Sequence, residues 1–299
     1  MNDRGTRALD KRAVRAAFAR AASSYDAHAV LQREIGERLI ARLDYIRLEP
    51  GTILDVGCGT GAPTRALSRR YPAAKVIGVD LVSAMTRAAR LRGARLPFGL
   101  GRAWGRERYV CADAERLPFA PASFDLVFSN LTFQWCDPDT VFRECRRVLR
   151  PGGLLLFSSF GPDTLKELRA AWRAVDEGAH VHDFIDMHDL GDALVRARLS
   201  DPVMDAEILT LTYADVGVVL RDLKAIGAHN AAHDRHAALT GKARFARFRT
   251  AYETYRRADG RLPATYEVVY GHAWSVEPGG QEVLADGRVA VSLDSLRRR

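Results

Sequence analysis

The sequence predicts an α/β fold: a doubly wound, mostly parallel sheet of seven strands with helical lid insertions. From Thr52 onward, short apolar runs alternate with segments whose apolar residues have helical spacing. The apolar runs are continuous, which is typical of strands that are buried on both faces. Strands and helices in alternation indicate a parallel sheet that is covered by helices on both sides.

The predicted elements follow the chain in order. Helical spacing within 11–44, interrupted near 23–26, predicts two helices ahead of the sheet. Apolar runs predict strands at 52–56, 75–79, 107–111, 124–128, 153–159, 203–212 and 265–274. Helices are predicted at 63–71, from about 83, and at 138–149, 164–175, 190–197, 214–226 and 240–257. The Gly- and Arg-rich stretch 93–106 is predicted to be an inserted surface loop, and the last 25 residues an appended hairpin.

Length and composition indicate one large domain in a reducing compartment. A chain of 299 residues that is 47% hydrophobic can bury a large core. Its longest apolar runs fall far short of the about 20 residues that span a bilayer, so we expect a cytoplasmic protein without membrane contact. The four cysteines show no CxxC spacing, which argues against a disulfide framework or a zinc site.

The formal net charge of +8 is unevenly distributed. Residues 1–22 carry +4, and residues 86–108 and 235–257 carry +6 each. A solvated basic surface explains this pattern as well as an acidic macromolecular partner does. The sequence has no RNP, KH or zinc-finger pattern, so nucleic acid is not the expected partner.

The strongest functional signal is the run Asp-Val-Gly-Cys-Gly-Thr-Gly at 55–61, between the first strand and the next helix. Gly57, Gly59 and Gly61 allow a tight turn and a close approach of the backbone to a ligand. The helix that follows directs its free N–H groups to the same place. With Ala62, the run also fits a loose dinucleotide fingerprint, so the glycines alone leave the ligand open.

Three carboxylates decide between these ligands. Asp55, two residues before the first glycine, can meet the ammonium group of an amino-acid moiety but would lie badly beside a pyrophosphate. Asp80 ends the second strand and can accept hydrogen bonds from both ribose hydroxyls. Asp113 follows the third strand, where it can accept from an adenine amino group. A doubly wound sheet collects all three at its carboxyl edge.

With these residues the core resembles the class I S-adenosylmethionine-dependent methyltransferases. The resemblance rests on D-V-G-C-G-T-G, V-D at 79–80, D-A-E at 113–115, S-F-D at 123–125 and L-R-P-G-G at 149–153. It implies that S-adenosyl-L-methionine is the cofactor. The residues that it assigns to cofactor binding are Gln32, Asp55, Gly57, Gly59, Gly61, Asp80, Leu81, Asp113, Ala114 and Asn130.

Segments outside the core resemble the malonyl-acyl-carrier-protein O-methyltransferase family of biotin synthesis. They are 24–33, N-L-x-x-Q-W-C at 130–136, and the stretches at 161–169, 186–194, 222–230 and 263–266. The resemblance implies that the free carboxylate of a malonyl thioester is methylated, which primes synthesis of the pimelate moiety of biotin. It also implies the layout of the single domain 1–299. Helices at 1–48 would cover the cofactor, 50–160 would bind it, 161–264 would supply lid helices and the sixth strand, and 265–299 the last strand and an extension.

Carboxyl methylation needs little acid–base chemistry. A malonyl carboxylate is ionised at neutral pH, so no general base is required. Tyr25 and Gln134 are expected to position the reactants, and Phe133, Gln134 and Trp135 to line the acceptor site. We expect no metal, because methyl transfer needs none and the loop histidines 180, 182 and 188 do not share a helical face.

Two other functions stay open at this point. The stretches at 163–169 and 259–266 also resemble an assembly-factor branch of the same fold that hydroxylates arginine on a protein. A non-catalytic scaffold that keeps the cofactor fold is the other alternative, although the complete set of glycines and acids argues against it. For the methyltransferase, the expected partner is an acidic carrier protein. It would be received by Arg244, Arg247 and Arg249 in the basic stretch 235–257. Arg143, Lys224 and His229 are candidates for binding the malonyl carboxylate.

Overall fold

The computed structural model describes residues 10–93, 107–176, 178, 180–227, 241–276, 281–283 and 289–291. The helices are α1 (Lys11–Ala21), α2 (Tyr25–His28), α3 (Val30–Ala41), α4 (Ala62–Arg70), α5 (Ser83–Gly93), α6 (Pro138–Val148), α7 (Lys166–Arg173), α8 (Met187–Arg196), α9 (Val216–Ala225) and α10 (Lys242–Glu253). The strands are β1 (Thr52–Val56), β2 (Lys75–Asp80), β3 (Arg108–Cys111), β4 (Phe124–Asn130), β5 (Leu149–Phe160), β6 (Leu199–Tyr213), β7 (Leu262–Ser275), β8 (Gln281–Val283) and β9 (Val289–Val291). Two 3₁₀ turns, Arg42–Tyr45 and Phe133–Trp135, complete the described elements.

Strands β1 to β7 form one sheet in the order β3-β2-β1-β4-β5-β7-β6. The strands from β3 to β5 are parallel, and β7 runs antiparallel to both β5 and β6. This confirms the predicted seven-stranded, mostly parallel α/β sheet. The chain winds outward in opposite directions from β1 and β4. Open sheets of this kind bind ligands beyond the carboxyl ends of the strands at such a reversal.

The core has two halves, one on each face of the sheet. Successive residues of a strand point to opposite faces. Ile53 of β1 accordingly packs with the half that contains Leu126, whereas Leu54 packs with the half that contains Val127. Helices α3 and α7 pack on the first face and α6 and α8 on the second. Burial on both faces explains why these strands read as continuous apolar runs.

The N-terminal segment contains three helices where two are predicted. Asp10 caps α1 by accepting hydrogen bonds from the backbone N–H groups of Arg12 and Ala13. The predicted interruption near 23–26 contains part of the short helix α2, whose last turn closes when the N–H of Ala29 donates to the carbonyl of Tyr25. The segment therefore turns twice, which places the side chain of Tyr25 between α1 and α3.

Strand β5 begins earlier than predicted. Leu149, expected to end a helix, pairs with Phe124 of β4, and the register shifts by the next pair. Gly152 has a φ of +75°, a conformation that glycine adopts without strain. The Pro-Gly-Gly sequence at 151–153 indicates a turn, but here it forms an irregularity within a strand.

The predicted C-terminal hairpin is confirmed by the antiparallel pair β8 and β9. Most of the predicted 93–106 loop and His229 lie outside the described residues. Across the part of the chain that the structure describes, no helix is both long and apolar enough to cross a membrane.

Candidate active site

The glycine loop leaves β1 in a conformation that only glycine adopts easily. Gly57, Gly59 and Gly61 have φ angles of +75°, +53° and +82°. A Cβ on Gly57 would lie 1.9 Å from Oγ1 of Thr132, which excludes any side chain there. Gly61 has a different role, because its added Cβ would meet the hydroxyl of Tyr109 at 2.7 Å. Gly57 therefore makes room for Thr132, Gly59 leaves the backbone open to a cavity, and Gly61 allows close packing at the start of α4.

Asp80 holds the glycine loop against the end of β2. Its Oδ2 accepts a hydrogen bond from the backbone N–H of Gly59 at 2.9 Å, and its Oδ1 accepts one from Val82 at 2.8 Å. Burial raises the pKa of Asp80 to about 6, although both backbone bonds favour the ionised form. The carboxylate keeps further lone pairs for hydroxyl donors.

A cavity of about 100 Å³, called the smaller cavity below, lies over this loop. Most of the predicted cofactor-binding residues meet in its wall: Gly57, Gly59, Asp80, Leu81, Asp113, Ala114 and Asn130. The carboxyl ends of four parallel strands thus converge on one place. Helix α1 forms the cover through Lys11, Val14 and Phe18.

Lys11 joins the cover to the floor of the smaller cavity. Its Nζ lies 2.9 and 2.8 Å from the two carboxylate oxygens of Asp113 and 2.7 Å from Oε2 of Glu115. Burial opposes the charge of Lys11, but the two carboxylates outweigh it and its pKa is raised. No local sequence pattern indicates this contact, because 102 residues separate Lys11 from Asp113.

Asp55 lies deeper than its neighbours, only 1% exposed. Its Oδ2 accepts a hydrogen bond from the hydroxyl of Thr64 at 2.5 Å, and its Oδ1 has no hydrogen-bond partner among the described residues. Burial raises its pKa to about 7. A buried carboxylate oxygen without a partner is costly, and a cationic ligand group would satisfy it.

Asn130 and Gln32 connect α3 to the sheet. The amide Nδ2 of Asn130 donates to the backbone carbonyl of Gln32 at 2.9 Å, and its Oδ1 accepts from the hydroxyl of Ser158 at 2.8 Å. The side chain of Gln32 lies in the wall of a neighbouring cavity instead of the smaller one. The backbone of Gln32 therefore positions Asn130. The side chain of Gln32 does not lie at the predicted cofactor contact.

The neighbouring cavity, called the larger cavity below, has a volume of about 290 Å³. Its lining is mostly apolar and aromatic and includes Trp135, Phe160, Leu168, Trp172, Phe184, Leu223 and Tyr266. Three of its buried polar atoms have no partner in the described chain: Oε1 of Gln32, Oε1 of Gln134 and Nε2 of His182. Such a cavity suits a ligand that has an apolar part and a few polar atoms.

The two cavities share one wall. Phe18, Tyr25, Leu131 and Trp135 line both of them. Phe18 and Trp135 meet edge to face with their ring centroids 5.6 Å apart. Burial raises the pKa of Tyr25 well above its usual range, so its hydroxyl is neutral. The two cavities therefore adjoin each other at these four residues.

Phe133 does not line the acceptor cavity, so that prediction is wrong. It is fully buried and packs against Phe142 and Phe157 in the core, with centroid distances of 5.4 Å to each. The side chains of the two residues that follow Phe133 in the 3₁₀ turn point in another direction. Gln134 and Trp135 do line the larger cavity, as predicted.

The histidines and the candidate cations also have definite places. His180 stacks on Trp172 and bonds Asp176 at 2.8 Å, and His188 is exposed beside Asp186. Lys224 lines the larger cavity, whereas Arg143 is exposed on α6 and bonds the carbonyl of Asp139. Among the described residues, no three His, Cys, Asp or Glu side chains lie close enough together to hold a metal ion.

Comparison with known proteins identifies the class. Residues 54–157 match the family described as methyltransferase domain. The fold is similar to that of the YcgJ protein from Bacillus subtilis, with a TM-score of 0.55 and 19% identity over 80% of this chain and 98% of that one. Together with the glycine loop and the switch-point cavity, these findings define a class I methyltransferase whose cofactor is S-adenosyl-L-methionine.

The relatives narrow the class to a family. The malonyl-[acyl-carrier protein] O-methyltransferase of Methylovorus is 54% identical over 93% of this chain and 93% of its own. The enzyme of the same name from Gallionella capsiferriformans is 54% identical over 90% and 92%. The chain belongs to the malonyl-[acyl-carrier protein] O-methyltransferase family.

Proposed function

We propose that this enzyme transfers the methyl group of S-adenosyl-L-methionine to the free carboxylate of malonyl-acyl-carrier protein. The main support is the 54% identity to relatives that are named for this activity, over nearly the full length of this chain and of theirs. Two cavities that adjoin at a common wall support it, because methyl donor and acceptor must approach each other directly. The methyl ester formed would prime synthesis of the pimelate moiety of biotin.

The lining of the smaller cavity fits the cofactor. Gly59 leaves room for a ligand beside the backbone, because the nearest atom to an added Cβ is a ring carbon of Tyr25 at 4.0 Å. Asp80 would accept the two ribose hydroxyls, and Asp113 the adenine amino group between Leu81 and Ala114. The free Oδ1 of Asp55 would attract the ammonium end from below.

The chain then has to position the acceptor and exclude water. The bound cofactor supplies a methyl group on a sulfonium, which is already electrophilic. A malonyl carboxylate with a reference pKa of about 4 is ionised without help from the protein. Tyr25 is neutral and half-buried, so it would position the reactants instead of removing a proton. Phe18 and Trp135 pack against each other in the shared wall. Their rings would exclude water from the place where the methyl carbon and the carboxylate oxygen approach each other.

The direct test uses isotopically labelled cofactor and malonyl-acyl-carrier protein, followed by mass measurement of the acyl arm. We expect one methyl group to be added to the arm, and none when acetyl-acyl-carrier protein replaces it. Saponification should release the label, because the product is an ester. Absence of label on the malonyl arm, with label or oxygen added to a protein arginine, would overturn the proposal.

A further inference from the structure

The larger cavity has an unbalanced charge. Twenty of the described residues line it, and among these are one lysine, Lys224, and no aspartate or glutamate. Its other polar groups are neutral amides, hydroxyls and two histidines, of which His180 is bonded to Asp176. A mostly apolar cavity with one cation in its wall favours an anionic ligand.

His182 adds a second polar group to this cavity. It is 7% exposed, and its Nε2 has no partner within the described chain. Burial lowers its pKa to about 4, so the ring is neutral at physiological pH. A neutral imidazole carries a proton on one nitrogen and can donate it in a hydrogen bond. His182 lines the cavity, and a buried ring nitrogen without a partner there indicates a site for a ligand atom.

Both residues lie beside the wall that the two cavities share. The ring centroid of His182 is 4.7 Å from that of Trp135, which lines both cavities. Lys224 precedes Ala225, whose carbonyl accepts a hydrogen bond from the hydroxyl of Ser24 at 3.4 Å, next to Tyr25. The end of α9 also touches Phe18, because a Cβ on Gly227 would lie 3.1 Å from that ring. The end of α9, and with it the exposed residue Lys224, is therefore on the side of the larger cavity that adjoins the shared wall.

We propose that Lys224 and His182 bind the carboxylate end of the malonyl group and present it at the shared wall. The inference rests on the proposed function for the identity of the anion. Lys224 neutralises the carboxylate, and His182 donates a hydrogen bond to one of its oxygens. The other oxygen stays directed toward the smaller cavity. This assigns substrate selection to two residues that come from different lid segments.

The test compares malonyl-pantetheine with its neutral amide, malonamyl-pantetheine. Calorimetry in the presence of S-adenosylhomocysteine measures binding without turnover. We expect Lys224→Met to weaken malonyl-pantetheine binding roughly 10- to 100-fold, the range for losing a hydrogen bond to a charged group. Binding of the amide should be unchanged, and Lys224→Arg should restore most of the loss. His182→Phe should weaken malonyl binding in the same direction.

Arg221→Met is the matched control, because Arg221 is exposed on the same helix and lies outside the cavity lining. In turnover, Lys224→Met should raise KM for malonyl-acyl-carrier protein while the cofactor KM stays constant. Equal binding of acid and amide by the wild type, or equal effects of Lys224→Met and Arg221→Met, would overturn the inference. If the wild type binds the acid selectively but forms no malonyl ester, the proposed function fails and the anion site stands.

Discussion

At the scale of single residues, Asp80 is the side chain on which cofactor binding is expected to depend most. Asp80→Ala should weaken S-adenosylmethionine binding by about 2–3 kcal/mol, because it strands the hydroxyls that the carboxylate would accept. Calorimetry would show this as a rise in Kd of roughly 30- to 150-fold. Asp44→Ala, an exposed carboxylate paired with Arg70, is the control and should change nothing. An unaltered Kd for Asp80→Ala would remove this residue from the site.

The raised pKa of Asp80 predicts how cofactor affinity depends on pH. The carboxyl is ionised at pH 8, but with a pKa of about 6 only about one molecule in ten is ionised at pH 5. If the ionised form binds the cofactor, affinity should fall about tenfold as the pH drops from 8 to 5. Asp80→Asn should bind weakly at every pH and lose the part of this dependence that Asp80 causes, while the part due to Asp55, whose pKa is about 7, remains. Titrations at several pH values would measure it, and a flat wild-type profile would contradict it.

How far the site could be predicted differs between neighbouring residues. Asp80 and Asp113 follow strands, and parallel strands bring their carboxyl ends together, so local sequence sufficed to place them at one cavity. Phe133 lies in a 3₁₀ turn, where adjacent side chains diverge, and nothing in the sequence distinguishes core from cavity there. The contact between Lys11 and Asp113 joins distant segments, so no local pattern could indicate it.

At the scale of elements, α1 is expected to tighten when the cofactor binds. Lys11, Val14 and Phe18 contribute one face of this helix to the smaller cavity. Ligand contacts along that face should suppress local opening, so the amides of residues 11–21 should exchange hydrogen more slowly. Deuterium uptake measured by mass spectrometry would show the change, with the distant helix α8 as internal control. Equal protection of α1 and α8 would indicate global stabilisation instead.

The strands that the sequence predicts accurately are those with a run of apolar residues, which indicates a buried strand. β1 is predicted over its full length, because Ile53, Leu54 and Val56 give it the apolar run of a strand that is buried on both faces. The start of β5 is not, since its Pro-Gly-Gly sequence indicates a turn and only pairing with β4 makes it a strand. Helix α2 was missed because four residues give too short a pattern for helical periodicity.

At the scale of the whole molecule, the basic charge predicts that the carrier protein docks near α10. Phe248 of this helix stacks on Trp172 in the lining of the larger cavity, with centroids 4.1 Å apart. Arg247 and Arg249 are exposed. Arg244, expected to join them in docking, instead pairs with Asp176. The docking surface predicted from the sequence is thereby reduced to two of its three arginines.

Reversing both charges, Arg247→Glu with Arg249→Glu, should raise KM for malonyl-acyl-carrier protein severalfold and reduce its salt dependence, with kcat nearly unchanged. Exposed pairs contribute only about 0–1 kcal/mol each, so either change alone should do little. Steady-state kinetics at low and moderate salt would measure this, and a small malonyl thioester should be unaffected. The matched control is Arg69→Glu with Lys75→Glu. Lys75 is the first residue of β2, so it lies at the amino end of the strand, away from the carboxyl ends where the site is. Identical kinetics for the two double variants would show that α10 is only a solvated surface.

The position of β7 between β5 and β6 determines when the sheet can be completed during protein synthesis. The ribosome makes β6 first, and 48 residues separate its end from the start of β7. At about 5–20 residues per second, roughly 2–10 s pass before the missing strand is made. Until then the apolar edge of β5 and the whole of β6 have no partner, which exposes the nascent chain to strand-to-strand aggregation. Cellular yield of this enzyme should therefore depend on chaperones that protect unfinished chains.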